Sequence, residues 1–183
     1  MNRNVAAVFL IALFHAHVAI SQETAETQTA EKPPAEITGM RIESAGSGGS
    51  PWTRVLVDFR CRPKWIDGLQ VSMTVLVGDG TEERPYVILS GMARYINVPR
   101  GSSTGVLFIS PSTTKRYGAV TAAQASIYVN DQAVSTFDYE GSGRAPEDWQ
   151  SVYDRREGAL LPITATPWVV AEYDKYPDSI LSR

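Results

Sequence analysis

The chain reads as an all-β protein folded as an antiparallel β-sandwich of about seven strands. Three observations predict this. Leu69 to Val77 places Leu69, Val71, Met73, Val75 and Val77 on alternate positions, with Gln70, Ser72 and Thr74 between them; side chains on a pleated strand alternate between faces, so this segment has one dry face and one wetter one. Strand signals of this kind recur from Ile37 to Tyr139, separated by short runs rich in Gly, Pro, Asn and Asp, and no helical period intervenes. A lone strand with one greasy face cannot repay its ordering entropy, so a second sheet must cover it.

The elements follow in order. Met40 and Ile42 mark a first strand, ended by the Gly/Ser-rich run before Pro51. Trp52 to Arg62 is a second, with Val55, Val57, Phe59 and Cys61 inward and Arg54, Asp58, Arg60 and Arg62 outward. Pro63 to Gly68 is a turn carrying Trp65, and the alternating strand after it ends at Gly78-Asp79-Gly80. Tyr86 to Val98 reads as one long strand with a bend near Gly91, and Thr104 to Ser110 as the next. Pro111 to Gly118 reads as a polar loop. Ala119 to Val129 and Ala133 to Tyr139 pair across a tight Asn130-Asp131 hairpin.

The ends differ in character. Arg3, the unbroken apolar run Val5–Phe14 and the small residues before Gln22 have the pattern of a signal peptide over residues 1–21. The run is too short to span a bilayer, which needs about 20 residues, so no stable membrane span is expected after cleavage. No Cys adjoins the cut, and no Gly-Phe junction of a pilin precursor is present. Residues 22–36 are Thr, Glu, Ala, Gln and Pro without periodicity, a disordered linker. The sandwich is assigned to 37–141 and a C-terminal helix and tail to 142–183. Pro146, Glu147 and Asp148 suit a first helical turn, Trp149, Val152 and Tyr153 share one face, and Gly158 suits the stop, which predicts a helix over Pro146–Glu157. The Thr166-Pro167-Trp168 region must be largely extended.

Composition excludes several chemistries. His15 and His17 are the two histidines and leave with the signal, so no Ser-His-Asp, Cys-His or His-based zinc site forms in the mature chain. Sixteen basic residues then face 20 acidic ones, a balance that does not suit nucleic acid. Cys61 is alone and cannot form an internal disulfide; it suits a small buried apolar position. Gly46-Ser-Gly-Gly49 stands between two strands and is not a phosphate loop. Glu82 and Glu83 beside Asp79, and Glu147 with Asp148, are neighbours in a turn and at a helix start, whereas paired catalytic carboxylates face each other across a cleft. Asp79, Thr81 and Glu82 cluster hard oxygen ligands without a known calcium spacing, and Ser112 with Lys115 has nothing to activate it. No enzyme activity, metal or cofactor is expected.

The tryptophans and the tail remain. Trp168, Val169, Val170, Tyr173 and Tyr176 make the C-terminal stretch too apolar to be left in water, and they are the expected partner-binding residues. Trp52, Trp65 and Tyr95 are the alternative, an exposed aromatic set for glycans.

The seven-strand pattern resembles the immunoglobulin-like fold. It lacks the second Cys of antibody domains, the sixth strand offering Ala123, Gln124, Ala125 and Ser126, and Tyr117 stands where a tyrosine corner would. With the ending Leu160-Leu-Pro, Thr166-Pro-Trp168 and Glu172-Tyr-Asp-Lys-Tyr-Pro177, the chain resembles small exported immunoglobulin-like proteins of Akkermansia-type verrucomicrobia, found with type IV pilus-like gene clusters. The resemblance implies an envelope module, periplasmic or secreted, that assembles with itself or with pilus components, and it carries over no catalytic residues.

Overall fold

The computed structural model describes residues 32–46, 51–141, 145–172, 174–177 and 179–180. The expected signal peptide, most of the linker and Tyr173 lie outside them. No helix among the described residues is long and apolar enough to cross a membrane.

Seven principal strands form two sheets: β1 (Ala35–Ala45), β2 (Trp52–Ile66), β3 (Leu69–Val77), β4 (Val87–Tyr95), β5 (Val98–Ile109), β6 (Val120–Val129) and β7 (Gln132–Glu140). One sheet has the order β1-β2-β5, and the other β4-β3-β6-β7. All these neighbours are antiparallel. Lettered A, B, C, C′, E, F and G along the chain, the strands give ABE facing C′CFG, the immunoglobulin-like Greek key with one strand added to the CFG sheet.

The alternating strand lies at the centre, as β3 between β4 and β6. Leu69, Val71, Met73, Val75 and Val77 are all buried in the main core with Val55, Val57, Phe59 and Cys61. Leu76, which breaks the alternation, is buried on the opposite face against Ile88 and Ala122, under Tyr86, Trp149 and Tyr153. This sheet is therefore covered on part of its outer face too, which the two-face pattern alone does not reveal.

Several boundaries differ from the sequence reading. β1 begins at Ala35, fully buried opposite Cys61, so the linker ends two residues earlier than expected. Residues 86–98 are not one strand. Asn97, at φ 52, turns the chain from β4 in one sheet to β5 in the other, and Asn tolerates that left-handed conformation better than most residues. Pro111–Tyr117 is a helix, α1, not a loop: Ser110 caps it by accepting from Thr113 N, Pro111 occupies its first turn, and Gly118 N donates to Thr114 O. It buries no residue, so it has no apolar stripe to announce it. The Asn130-Asp131 hairpin is as expected, with both residues at positive φ, the requirement of a type I′ turn.

A further difference concerns the C-terminal helix. It shrinks to α2 (Trp149–Val152), and Arg155–Glu157 instead forms β8, parallel to Ile88–Ser90 of β4. An edge strand leaves a row of N–H and C=O groups unpaired. Pairing with that row outcompetes three more helical residues: Ile88 N donates to Asp154 O at 2.9 Å. Downstream, β9 (Leu161–Pro162) pairs with Phe108 and Leu107 of β5, and β10 (Ser179–Ile180) with Tyr95 and Arg94 of β4. The C-terminal segment thus covers in short pieces the edge formed by β4 and β5.

Tyr95 completes that edge from inside. It is fully buried, its hydroxyl accepts from Val106 N at 2.8 Å and donates to Val106 O at 3.4 Å, and burial pushes its phenol well up. One hydroxyl bonds both backbone groups of Val106, a β5 residue in register with Leu56 of β2. Among the described residues, Tyr95 and not Tyr117 has its hydroxyl bonded to main chain. Tyr95→Phe keeps the ring but orphans a buried N–H, so we expect a loss of about 1–3 kcal/mol in urea unfolding; an unchanged midpoint would show that water reaches Val106.

Candidate functional site

The C-terminal segment crosses the outer face of the β1-β2-β5 sheet. Leu56, Val106 and Phe108 point outward there and are buried by Ile163, with Trp52, Trp168 and Tyr176 packed around them. Trp52 meets Phe108 edge-to-face at 6.4 Å. The tail is not extended as expected: Thr166, before proline, is extended, but two short 3₁₀ turns, Ile163–Ala165 and Pro167–Val169, flank it and bring the chain across. Thr166 joins them: its hydroxyl donates to Ile163 O and accepts from Trp168 N.

A buried polar cluster fastens this segment. The Arg54 guanidinium on β2 donates to Glu172 Oε1, with the Arg54 side chain 17% and the Glu172 side chain 5% exposed. Lys175 Nζ also donates to Glu172 Oε1, and the Tyr176 hydroxyl to Glu172 Oε2. Burial, and then the Glu172 charge, push the Tyr176 phenol up. The Arg54 guanidinium carbon lies 5.6 Å from the centroid of the Trp168 ring, within cation–π range. On its other side Trp168 covers Gly46, leaving 3.3 Å to a Cβ added there.

The expected tail residues are therefore divided. Trp168 and Tyr176 pack on their own domain. Val169 and Val170 are held outward, Val170 at 82% exposure. Sequence reasoning missed Arg54 and Glu172. The available signal was an arginine on an outward strand position facing an acidic residue within an aromatic tail.

The aromatic set proposed for glycans does not assemble. Tyr95 is in the core and unavailable to any ligand, because its hydroxyl is committed to Val106. Trp65 is 56% exposed, but it sits at the end of β2, which extends through the region expected to be a turn. Trp52 opens the same strand, roughly 40 Å away at about 3.3 Å per residue.

The acidic candidates are also separated or spent. Asp79 Oδ1 accepts from Thr81 N and Oγ1, which holds its carboxyl below the usual range. Glu82 and Glu83 are exposed in the same loop, and Glu147 and Asp148 are exposed in a turn. Ser112 Oγ is bonded to Ser110 Oγ rather than to Lys115. Cys61 is buried, and burial pushes its thiol up to about 11. Among the described residues no group of three or more His, Cys, Asp or Glu side chains could hold a metal ion. A cleft of about 440 Å³ lies between β3, β4 and β8, lined by Ser72, Thr74, Ser90, Met92, Arg155 and Glu157. It contains one carboxylate and no nucleophile–base pair.

A protein-family model matches residues 50–182, from the start of β2 through the C-terminal segment. No curated protein matches the sequence. Among solved structures, a crystal structure of a protein from Akkermansia muciniphila superposes with a TM-score of 0.64 at 21% identity, covering 81% of this chain and 93% of that one. At that identity the likeness establishes the sandwich fold.

Proposed function

The chain belongs to the family matched over residues 50–182, an Akkermansia-type family of pilus-associated immunoglobulin-like proteins, and on that premise we propose that it is a non-enzymatic assembly module of the cell envelope. In this reading it works by contact, binding a second copy of itself or an envelope or pilus component. The setting of the family is extracellular or envelope, and the family is not a known enzyme family.

One observation carries the proposal: Val169 and Val170 form an apolar knuckle fixed in place from beneath. Trp168 on one side and Glu172 on the other are anchored to β2, so the two valines are presented without further ordering. Preorganisation of this kind removes part of the entropy cost of association. Trp168 and Tyr176 contribute as supports.

The double substitution Val169→Asp, Val170→Asp tests this. Both positions are exposed, so stability should change by no more than about 0.5 kcal/mol. Sedimentation velocity across a concentration series should show association in the parent and a monomer in the variant. The same mass distribution for both, or a parent that stays monomeric with and without envelope extract, would overturn the proposal.

A further inference from the structure

We propose that one end of the sandwich is a docking surface for an anionic phospholipid bilayer. The residues are Arg60, Arg62, Lys64 and Arg100 around Trp65, with Arg94 from the other sheet. β2 carries Arg60, Arg62 and Lys64, all exposed, and β5 brings Arg100 beside them through its Nε donating to Arg62 O at 2.6 Å. Arg94 on β4 reaches the same end, its guanidinium 3.3 Å from the position of a Cβ on Gly68 in the turn after β2.

The acids at this end offset only part of the charge. Glu36 pairs with Arg62 at 2.7 Å, Asp67 accepts from Asn97 N, and Asp131 sits in the β6–β7 hairpin. Among the described residues, Arg60, Lys64, Arg94 and Arg100 have no carboxylate within 4.0 Å. This concentration of cations occurs on a chain whose formal net charge is −3. Such a molecule is repelled by a dispersed polyanion over most of its surface and attracted at one end, which suits a flat anionic plane.

Trp65 decides between planes of charge and soluble polyanions. A tryptophan 56% exposed amid cations matches the interfacial pattern, in which the indole enters the headgroup layer while Lys and Arg remain at the phosphates. The chain also enters the domain here: Arg62 N donates to Pro34 O at 2.9 Å, and Lys32 adds another cation just before it. The knuckle at Val169–Val170 is a separate feature, so this surface stands or falls independently of the assembly proposal.

The test is co-sedimentation of the full chain with vesicles, one set of pure phosphatidylcholine and one about one-third phosphatidylglycerol, at low and high salt. The parent should bind the anionic vesicles at least tenfold more tightly than the neutral ones, and 0.5 M salt should erase the difference. Arg60→Glu with Lys64→Glu changes the surface by four charges. At about 1 kcal/mol per charge near an anionic surface, this amounts to on the order of a thousandfold, enough to abolish the preference for anionic vesicles. The variant keeps the N-terminal run, so any binding through that run is common to both. Trp65→Phe should abolish the blue shift of fluorescence on anionic vesicles. A parent with no preference for anionic vesicles, a preference unchanged in the charge variant, or tighter binding to soluble dextran sulfate than to vesicles would each overturn the proposal.

Discussion

Glu172→Ala should lower stability by about 3 kcal/mol and make the C-terminal segment sensitive to proteases. The Glu172 carboxylate takes bonds from Arg54, Lys175 and Tyr176 while itself 5% exposed. Its removal leaves the Arg54 guanidinium under Trp168 without this counter-charge, and Arg54 Nε already has no partner among the described residues. Breaking one side of a buried pair costs about 3–5 kcal/mol because the remaining charge stays out of water. Arg54 can regain water only if the segment from Ile163 to Pro177 lifts, and lifting uncovers Leu56, Val106 and Phe108. The penalty is therefore capped by the docking free energy of the segment, which places the expectation at the lower end of the range. Urea unfolding gives the loss, and limited proteolysis locates it. The double substitution Arg54→Met, Glu172→Leu should recover much of the stability, because two apolar groups of similar bulk need no desolvated charges. An unchanged unfolding midpoint and protease pattern for Glu172→Ala would mean that the segment is not fastened by this pair.

The fold was legible wherever one face of an element is wet. β3 and much of β2 alternate, Leu76 and Leu56 excepted, because their inward residues meet the opposing sheet and most of their outward ones meet water, and their hydrophobic period records that geometry. Legibility failed where a segment serves an edge. Arg155-Arg156-Glu157 carries no strand signal, since all three side chains are exposed; it is a strand because β4 offers unpaired backbone. The same blindness hid β9 and β10, two residues each. At the candidate site, the apolar character of the tail was readable, but its direction was not. Leu56 and Val106 occupy outward strand positions among polar neighbours, and only their burial under Trp168 and Ile163 explains them. Tyr95 was misread for the opposite reason: a tyrosine at a strand end looks exposed until the backbone of another strand is found at its hydroxyl.

Gly91→Ala should cost about 3 kcal/mol, although it adds one methyl group to a strand. Gly91 lies on β4 opposite Met73, and a Cβ placed on it would stand 2.2 Å from the Leu160 carbonyl oxygen and 2.6 Å from Leu160 Cβ. No rotamer relieves a collision with backbone, so the chain between β8 and β9 must move. Leu160 is 1% exposed and belongs to the main core. Drawing it out forfeits about 1.5–3 kcal/mol of burial, and overpacking adds about 1–3 kcal/mol where relaxation is incomplete. Part of the movement also breaks the pairing of Arg155–Glu157 with β4. Gly39→Ala is the matched control, since nothing lies within 4 Å of a Cβ there. It should be close to neutral, because alanine suits a strand no worse than glycine. The difference between the two variants in urea unfolding then measures how firmly the C-terminal segment is seated on the β4 edge. Equal effects would place Leu160 elsewhere and leave that edge open to pair with another chain.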